Sequence, residues 1–437
     1  MEQIIGIRRE DKNQWERRVP LTPMDVKELK EKFGIKTIIQ SSPIRIFKDE
    51  EYEKAGAEVN EDLNRASVIL AVKEIPEHFF QEGKTYMFFS HTIKGQHYNM
   101  TMLKRMMELK CNLIEYERVV NEKNQRLIFF GRYAGLAGMI ETLHAFGQKL
   151  KLQGYSTPLE RIKQAYQYTS IEEAKIEMQQ IGEEINENGF PPELGPVIIG
   201  FSGYGHVSIG AQEMLHCFPY KTISAPILTE MYENFTSDYY NFYKVVFNEE
   251  DLVRPKNNNH RFELNDYFTH PEKYESQFEN YIPYLSILIN GIYWTEKYPR
   301  FVTKEYLKNQ TILSSNLNLK VIGDISCDID GSIEITCKAT KPDNPTYTYY
   351  ATEDRYEEGV QRTGVTVMAV DNLPCEFPRE SSEAFSAVLK NFIPSLVTEN
   401  YACDFKEISL PDPLRRALVL LKGELTPNYF YMKEFIQ

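Results

Sequence analysis

From Ile4 to Ile114 short apolar runs alternate with amphipathic stretches at helical spacing. Ile4–Arg8, Lys36–Gln40, Val68–Val72, Thr85–Phe89 and Cys111–Ile114 read as buried strands, and Met24–Phe33, Asp49–Ala55 and Asn99–Leu109 as helices. Thr22 can cap the first helix, with Pro23 at its first position and Gly34 closing it. Strands alternating with helices over such a length predict a doubly wound α/β domain. Gly131–Leu152 is a long helical run. Its small residues at Gly131, Ala134, Gly135, Ala137 and Gly138 allow close packing. Glu172–Asn188 is a polar helix ended by Gly189-Phe190-Pro191-Pro192.

The pattern then changes. Val197–Ile199 is a short apolar strand, Gly200, Gly203 and Gly205 follow, and Val207–Leu215 has helical spacing. Strand, glycine-rich turn and helix in this order form the phosphate-cradling turn of a dinucleotide fold. Glycine lets the backbone approach the pyrophosphate, and the first N–H groups of the helix point at the anion. Gly203-x-Gly205-x-x-Ser208 puts serine where the third glycine usually sits. The alternative is an ordinary tight turn. Tyr220–Ser224 is expected to be the second strand of this unit, and residues 229–280 an irregular elaboration. Leu285–Asn290, Lys320–Ile325 and Val365–Val370 complete the strands, and Ser382–Ile393 and Pro411–Lys422 are the last helices. The fold class predicted is α/β: two doubly wound domains with a cleft between them, the second a Rossmann-type dinucleotide-binding domain. The expected boundaries are 1–135 plus 355–437 for the first domain and 136–354 for the second.

Composition narrows the function. The chain has 437 residues, 42% hydrophobic and 26% charged, which suits a protein with sizeable cores. A formal net charge of −13 argues against nucleic acid and against an anionic membrane surface as partners. The apolar runs are too short to span a bilayer, and the N-terminal sequence resembles neither a signal nor a transit peptide. A cytoplasmic location is expected. Six cysteines at irregular spacings fit reduced thiols, and eight histidines without an HxxxH pattern predict no metal.

In open α/β sheets ligands bind beyond the carboxyl ends of the strands. Lys73, His91 and Glu117 each lie just past such an end and are candidates for one site. Position alone also allows Lys73 to be a solvated turn lysine and His91 a local cap. In NAD-specific folds an acidic residue ends the second strand and holds the ribose 2′-hydroxyl. Here Ser224 stands at that point and no carboxylate appears until Glu230. This reading favours NADP(H) over NAD(H), although no arginine is nearby.

Several segments carry a resemblance. They include Lys12-x-x-x-Glu16-Arg17-Arg18-Val19-Pro20-Leu21-Thr22-Pro23, Val72-Lys73-Glu74-Ile75-Pro76-Glu77, Phe89-Ser90-His91, Gly205-x-Val207-Ser208-x-Gly210-Ala211-Gln212-Glu213, Ile289-Asn290-Gly291-Ile292-Tyr293-Trp294 and Asp324-Ile325-Ser326-x-Asp328. The first three resemble the alanine dehydrogenase, transhydrogenase and saccharopine dehydrogenase superfamily. Together they resemble the lysine–ketoglutarate reductase module of the bifunctional aminoadipic semialdehyde synthases. That resemblance implies condensation of L-lysine with 2-oxoglutarate and reduction of the imine by NADPH to saccharopine. It implies Lys73 and His91 as catalytic acid–base groups, and Lys12, Arg17, Arg18, Glu74 and Glu117 as substrate-binding. Arg18 is expected to clamp a carboxylate. It implies cofactor binding by Gly200, Ser202, Gly203, Tyr204, Gly205, His206, Val207, Ser224, Asn290, Asp324 and Asp328. In the bifunctional proteins a second, glutamate-forming saccharopine dehydrogenase module follows, so functional pairing with a separate enzyme of that kind is expected here; an oligomer is allowed. The alternatives are an NAD-dependent saccharopine or alanine dehydrogenase, or a non-catalytic relative binding lysine or NADP(H).

Overall fold

The computed structural model describes residues 2–235, 238–257, 259–313 and 317–436. The chain divides into two compact units, Met1–Phe130 with Pro378–Gln437, and Gly131–Phe377.

The first unit is built on strands β1 (Ile4–Ile7), β2 (Lys36–Ile39), β3 (Glu58–Val59), β4 (Val68–Leu70), β5 (Thr85–Phe88) and β6 (Asn112–Glu115). They pair in parallel in the order β6-β5-β4-β1-β2-β3. β1, β4, β5 and β6 are buried along their whole length, as strands covered on both faces must be. The first helix, Pro23–Phe33, starts and stops where its sequence dictates. Thr22 accepts a hydrogen bond from the Asp25 N–H, and Gly34 takes a left-handed conformation at the end.

The chain returns to this sheet at its C-terminal end. Pro411–Lys422 is not one helix: a helix covers only Asp412–Ala417, and Leu418–Leu421 is a strand antiparallel to β6. A continuous apolar run suits either state. Here it covers the outer edge of β6, where unpaired backbone would otherwise remain.

The second unit holds β7 (Val197–Ser202), β8 (Tyr220–Ile223), β9 (Phe242–Phe247), a separate antiparallel pair β10 (Val253–Pro255) and β11 (Tyr274–Ser276), then β12 (Ile287–Asn290), β13 (Val321–Asp324), β14 (Thr346–Tyr350), β15 (Arg355–Glu358) and β16 (Val365–Met368). Its main sheet runs β15-β14-β16-β13-β12-β7-β9-β8. Two expectations are corrected. The C-terminal return begins at Pro378, not at residue 355, because β14–β16 extend this sheet, with β16 parallel to β13. The strand beside β7 is β9 and not Tyr220–Ile223, which lies one place further out. Residues 229–280, expected to be irregular, thus contribute an interior strand, second from the edge.

The small residues of helix Gly131–Gln153 have a direct use. A Cβ at Gly135 would strike the carbonyl of Val207, and one at Gly210 the carbonyl of Arg132. Glycine on both partners lets this helix cross His206–Leu215 at backbone distance and fix the start of the latter.

The same long helix buries Glu141 beside Glu376, both almost without exposure. Burial pushes the Glu141 carboxyl up to about 7. Burial and the Glu141 charge push Glu376 well above the carboxylate range. Raised carboxyl pKa values make the folded protein hold protons that the unfolded chain releases above its ordinary pKa of 4.5. Stability is therefore expected to fall as pH rises from there through about 7. Glu376→Gln should raise the melting midpoint at pH 8 by several degrees and leave it nearly unchanged at pH 5, read by thermal melts. Equal effects at both values would refute the charged-pair account. Among the described residues no helix is long and apolar enough to cross a membrane.

Candidate active site

In the first unit the chemistry gathers where the strand pattern placed it. Segments after the carboxyl ends of β1, β4, β5 and β6 carry Glu10 to Arg18, Lys73 and Glu74, Ser90 and His91, and Glu117. Glu74 is the hub. Its Oε2 accepts from Lys12 Nζ at 2.8 Å, and its Oε1 lies 2.7 Å from His91 Nδ1. Burial alone would raise the Glu74 carboxyl, but the His91 and Lys12 bonds and charges override it and hold it at about 2. Glu74 is thus a fixed anion that orients the imidazole.

His91 itself sits at φ +50, a left-handed conformation that costs a non-glycine residue about 1 kcal/mol or more. Asn99 Nδ2 donates to its carbonyl at 3.1 Å, and Phe89 stacks on its ring at 6.1 Å. Next to it, buried Glu115 accepts from the Ser90 N–H at 2.8 Å and from the Glu117 N–H at 3.0 Å. These bonds tie the segment after β5 to the one after β6.

Desolvation also changes the chemistry of Lys73. Burial and the nearby Arg18 charge lower its pKa, against opposing pulls from Glu16 and Glu74. Its backbone N–H and that of Val72 donate to buried Glu10 at 3.0 and 2.6 Å. Burial and the Glu16 charge in turn push Glu10 up to about 7.

Arg18, expected to clamp a substrate carboxylate, already holds a carboxylate of the chain. Its Nε and Nη2 donate to Glu16 at 2.7 and 2.6 Å, and its guanidinium lies 4.2 Å from the Phe130 ring centroid. Both residues are buried. A bidentate pair of this kind engages the fork that a substrate carboxylate would need. Arg17 is exposed and donates to the Ile44 carbonyl at 3.1 Å. Glu117 pairs with Arg126 at 3.2 Å. Residue type alone missed Glu10, Glu16 and Glu115; the usable signal was their position in the segment after β1 and at the last residue of β6.

In the second unit β7 runs into Gly203 (φ +85), Tyr204 and Gly205, and the helix begins at His206. A Cβ at Gly205 would meet nothing within 4 Å, which leaves the backbone open to a ligand at the helix N-terminus. This fits a pyrophosphate. Val207, in the first turn of the helix, packs against Gly291. Gly200, grouped with the turn by sequence, lies inside β7, where a Cβ would press on Phe247 and Leu285. It is a packing glycine.

Asn290 and Asp324 end β12 and β13 but are buried in a network. Asn290 Nδ2 lies 2.9 Å from Asp324 Oδ1 and 3.0 Å from Ser332 Oγ, and its Oδ1 accepts from Ser202 Oγ at 2.6 Å. Asp324 also accepts from Ser326 and Thr336, each at 2.6 Å. With 0% and 1% exposure they set the strand ends rather than present side chains to a ligand. Asp328 lies in the turn that follows, its carbonyl accepting from the Gly331 N–H at 3.0 Å.

Ser224 is exposed at the end of β8, separated from β7 by β9. The premise for NADP(H) falls with this strand order. The residues that follow the true neighbour of β7 are Asn248, Glu249 and Glu250, and both Glu249 oxygens lie 3.2 Å from the Tyr204 hydroxyl.

Comparison with known proteins gives the family. The family described as alanine dehydrogenase/PNT matches through its N-terminal domain at residues 6–137 and its C-terminal domain at residues 244–428. The alpha-aminoadipic semialdehyde synthase of Arabidopsis thaliana is 36% identical over 444 residues, covering 98% of this chain and 41% of that protein. The mitochondrial enzyme of the same name from Mus musculus is 33% identical over 445 residues, covering 99% of this chain and 48% of that protein. The chain thus spans less than half the length of these relatives. Among solved structures an L-alanine dehydrogenase superposes with a TM-score of 0.63 at 17% identity, covering 100% of both chains.

Proposed function

Because the chain belongs to the alanine dehydrogenase/PNT family, we propose that it is an oxidoreductase which condenses L-lysine with 2-oxoglutarate and reduces the product imine to saccharopine. The observation that carries this reading is half-buried Lys73, its proton loosened by desolvation and Arg18, next in sequence to the Glu74 that holds His91. Forming the imine needs a base to free the ε-amine of lysine, then an acid to remove hydroxide from the carbinolamine. Groups placed to take and give protons suit both steps. Lys73 takes the first proton. His91, with Nδ1 held by Glu74, delivers and recovers protons through Nε2. Lys12, half-exposed beside Glu74, and the exposed Arg17 attract the dicarboxylate to an otherwise acidic protein. Glu117 is proposed to hold the amino group of lysine.

A bound nicotinamide dinucleotide supplies the hydride that reduces the C=N bond. Gly203, Tyr204, Gly205, His206 and Val207 are proposed to hold its pyrophosphate through backbone and helix N-terminus. Ser202, Asn290 and Asp324 keep those strand ends in place.

The test is oxidation of reduced dinucleotide, followed by absorbance, with lysine and 2-oxoglutarate together and each omitted. Turnover only when both are present supports the reading. Turnover with ammonia and pyruvate instead would place the chain with the alanine dehydrogenases. Binding without turnover on any amine and keto acid would make it a sensor.

A further inference from the structure

One cavity of the second unit, about 280 Å³, borders the glycine turn and belongs to the site described above. Another, about 260 Å³, lies at the opposite end of the same sheet. Lys320, which immediately precedes β13, and Val365, which opens β16, both line it. β7, β12, β13 and β16 are parallel, so these amino ends face away from the glycine turn, which follows the carboxyl end of β7. The four residues of β13 alone span about 13 Å.

The wall of this second cavity is cationic where it is most buried. Lys149, near the end of helix Gly131–Gln153, is 1% exposed, and Lys320 is 8% exposed. Lys149 Nζ donates to the Gln361 carbonyl at 3.0 Å and to Thr366 Oγ1 at 3.1 Å. Both partners are neutral, and one of the three ammonium donors is left over. Among the described residues no carboxylate offsets either ammonium. Burial, then the Lys320 charge, lowers the Lys149 pKa to about 7, and burial lowers that of Lys320 as well. Buried cations are ordinarily paired, because leaving water costs an ammonium far more than a neutral group. Two near one another without a counter-charge mark a place for an anion from outside. Exposed Arg362 adds a third cation to the wall, and its carbonyl accepts from Gln153 Nε2 at 3.0 Å, which ties this turn to the long helix. Glu353, the acidic residue on the wall, is already engaged by Arg355.

We propose that this cavity binds a phosphate group, with Lys149 and Lys320 at its buried end and Arg362 at its exposed one. A planar carboxylate is matched best by a guanidinium fork, whereas the compact, rotatable ammonium of lysine suits oxygens set tetrahedrally. A phosphate carries a charge of about −1.5 to −2 and three acceptor oxygens, enough for several cations at once. Leu317 and Leu319 give the same cavity an apolar side that could hold the small organic body of a phosphate monoester.

The experiment is titration of the whole chain with inorganic phosphate, and separately with glycerol 3-phosphate, at neutral pH and fixed ionic strength, read by calorimetry and thermal melts. Each should bind and raise the melting midpoint as its concentration rises. Tighter binding of the ester makes a monoester the ligand; equal or weaker binding makes it free phosphate, and either order supports the site. Lys320→Met keeps the stem and removes an uncompensated charge. Its melting midpoint without phosphate should equal or exceed that of the unmodified chain, while phosphate affinity falls ~10-fold or more, the scale of one charge-assisted hydrogen bond. Arg362→Gln, at an exposed position that leaves folding intact, should also weaken binding. No binding of either compound would overturn the assignment, as would an affinity unchanged in both variants. Tighter binding of succinate than of phosphate would overturn it too, by making the cavity a dicarboxylate site. Phosphate binding lost in Gly205→Ala but kept in Lys320→Met would place the anion at the glycine turn instead.

Discussion

Lys73→Met is expected to lower kcat by a factor on the order of 10²–10³, with KM for lysine and the dissociation constant of the dinucleotide little changed, since general acid–base groups contribute on this scale. Methionine keeps most of the stem volume at this half-buried position and removes only the amine. The pH profile makes the assignment specific. Burial first, then Arg18, lowers the Lys73 pKa, so its neutral form persists to lower pH than an ordinary lysine allows. The rate should rise with pH through that lowered pKa, and the corresponding limb should vanish in Lys73→Met. Glu16 pulls the other way, raising the Lys73 pKa. Glu16→Gln should therefore move the limb to lower pH while turnover persists. A Lys73→Met protein within about threefold of the unmodified kcat would end the proposed role, because loss of a true acid–base group costs more than tenfold.

How the sequence disclosed this site, and where it did not, follows from what hydrophobic patterning encodes. Burial on both faces writes β1, β4, β5 and β6 as apolar runs, and a ligand site beyond their ends then picks out Lys73, His91 and Glu117. Strand order is written nowhere in that pattern. Phe242–Phe247 inserts between β7 and Tyr220–Ile223, an order that no apolar run records. Side-chain type misleads in a similar way at Arg18. A guanidinium suits a carboxylate ligand, but Glu16, two residues earlier, folds onto it, and only burial of the pair reveals this. Asn290 and Asp324 lie at the expected strand ends; that they bond to one another is a fact of packing. The Leu418–Leu421 run was ambiguous for a third reason, since four leucine and valine residues satisfy a helix period and a strand period equally.

Two glycine substitutions, at the cap and within the first half of the same helix, should separate binding from folding. Gly205→Ala adds a methyl group to a residue at φ −74, a backbone any L-residue adopts, and into space with no protein atom within 4 Å. The fold should tolerate it, at a cost of a few tenths of a kcal/mol for a changed cap residue. The same methyl stands where a pyrophosphate must approach the helix N-terminus, so dinucleotide affinity should fall on the order of 10²-fold, as for a ligand displaced by about 1 Å. Gly210→Ala is the mirror case. Its methyl would strike the Arg132 carbonyl, where the two helices touch through backbone, and nothing in its position borders the turn cavity. Overpacking of this kind costs about 1–3 kcal/mol, so the melting midpoint should drop by several degrees. The folded fraction should still bind the dinucleotide, because the first N–H groups of the helix are unchanged. Calorimetric binding and thermal melts on the two variants give four numbers. If Gly205→Ala lost stability but kept affinity, the turn would be an ordinary βα connection and the pyrophosphate would have to lie elsewhere. If Gly210→Ala lost affinity in proportion to Gly205→Ala without losing stability, the crossing of the two helices would be part of the binding site rather than the support that holds its helix in place.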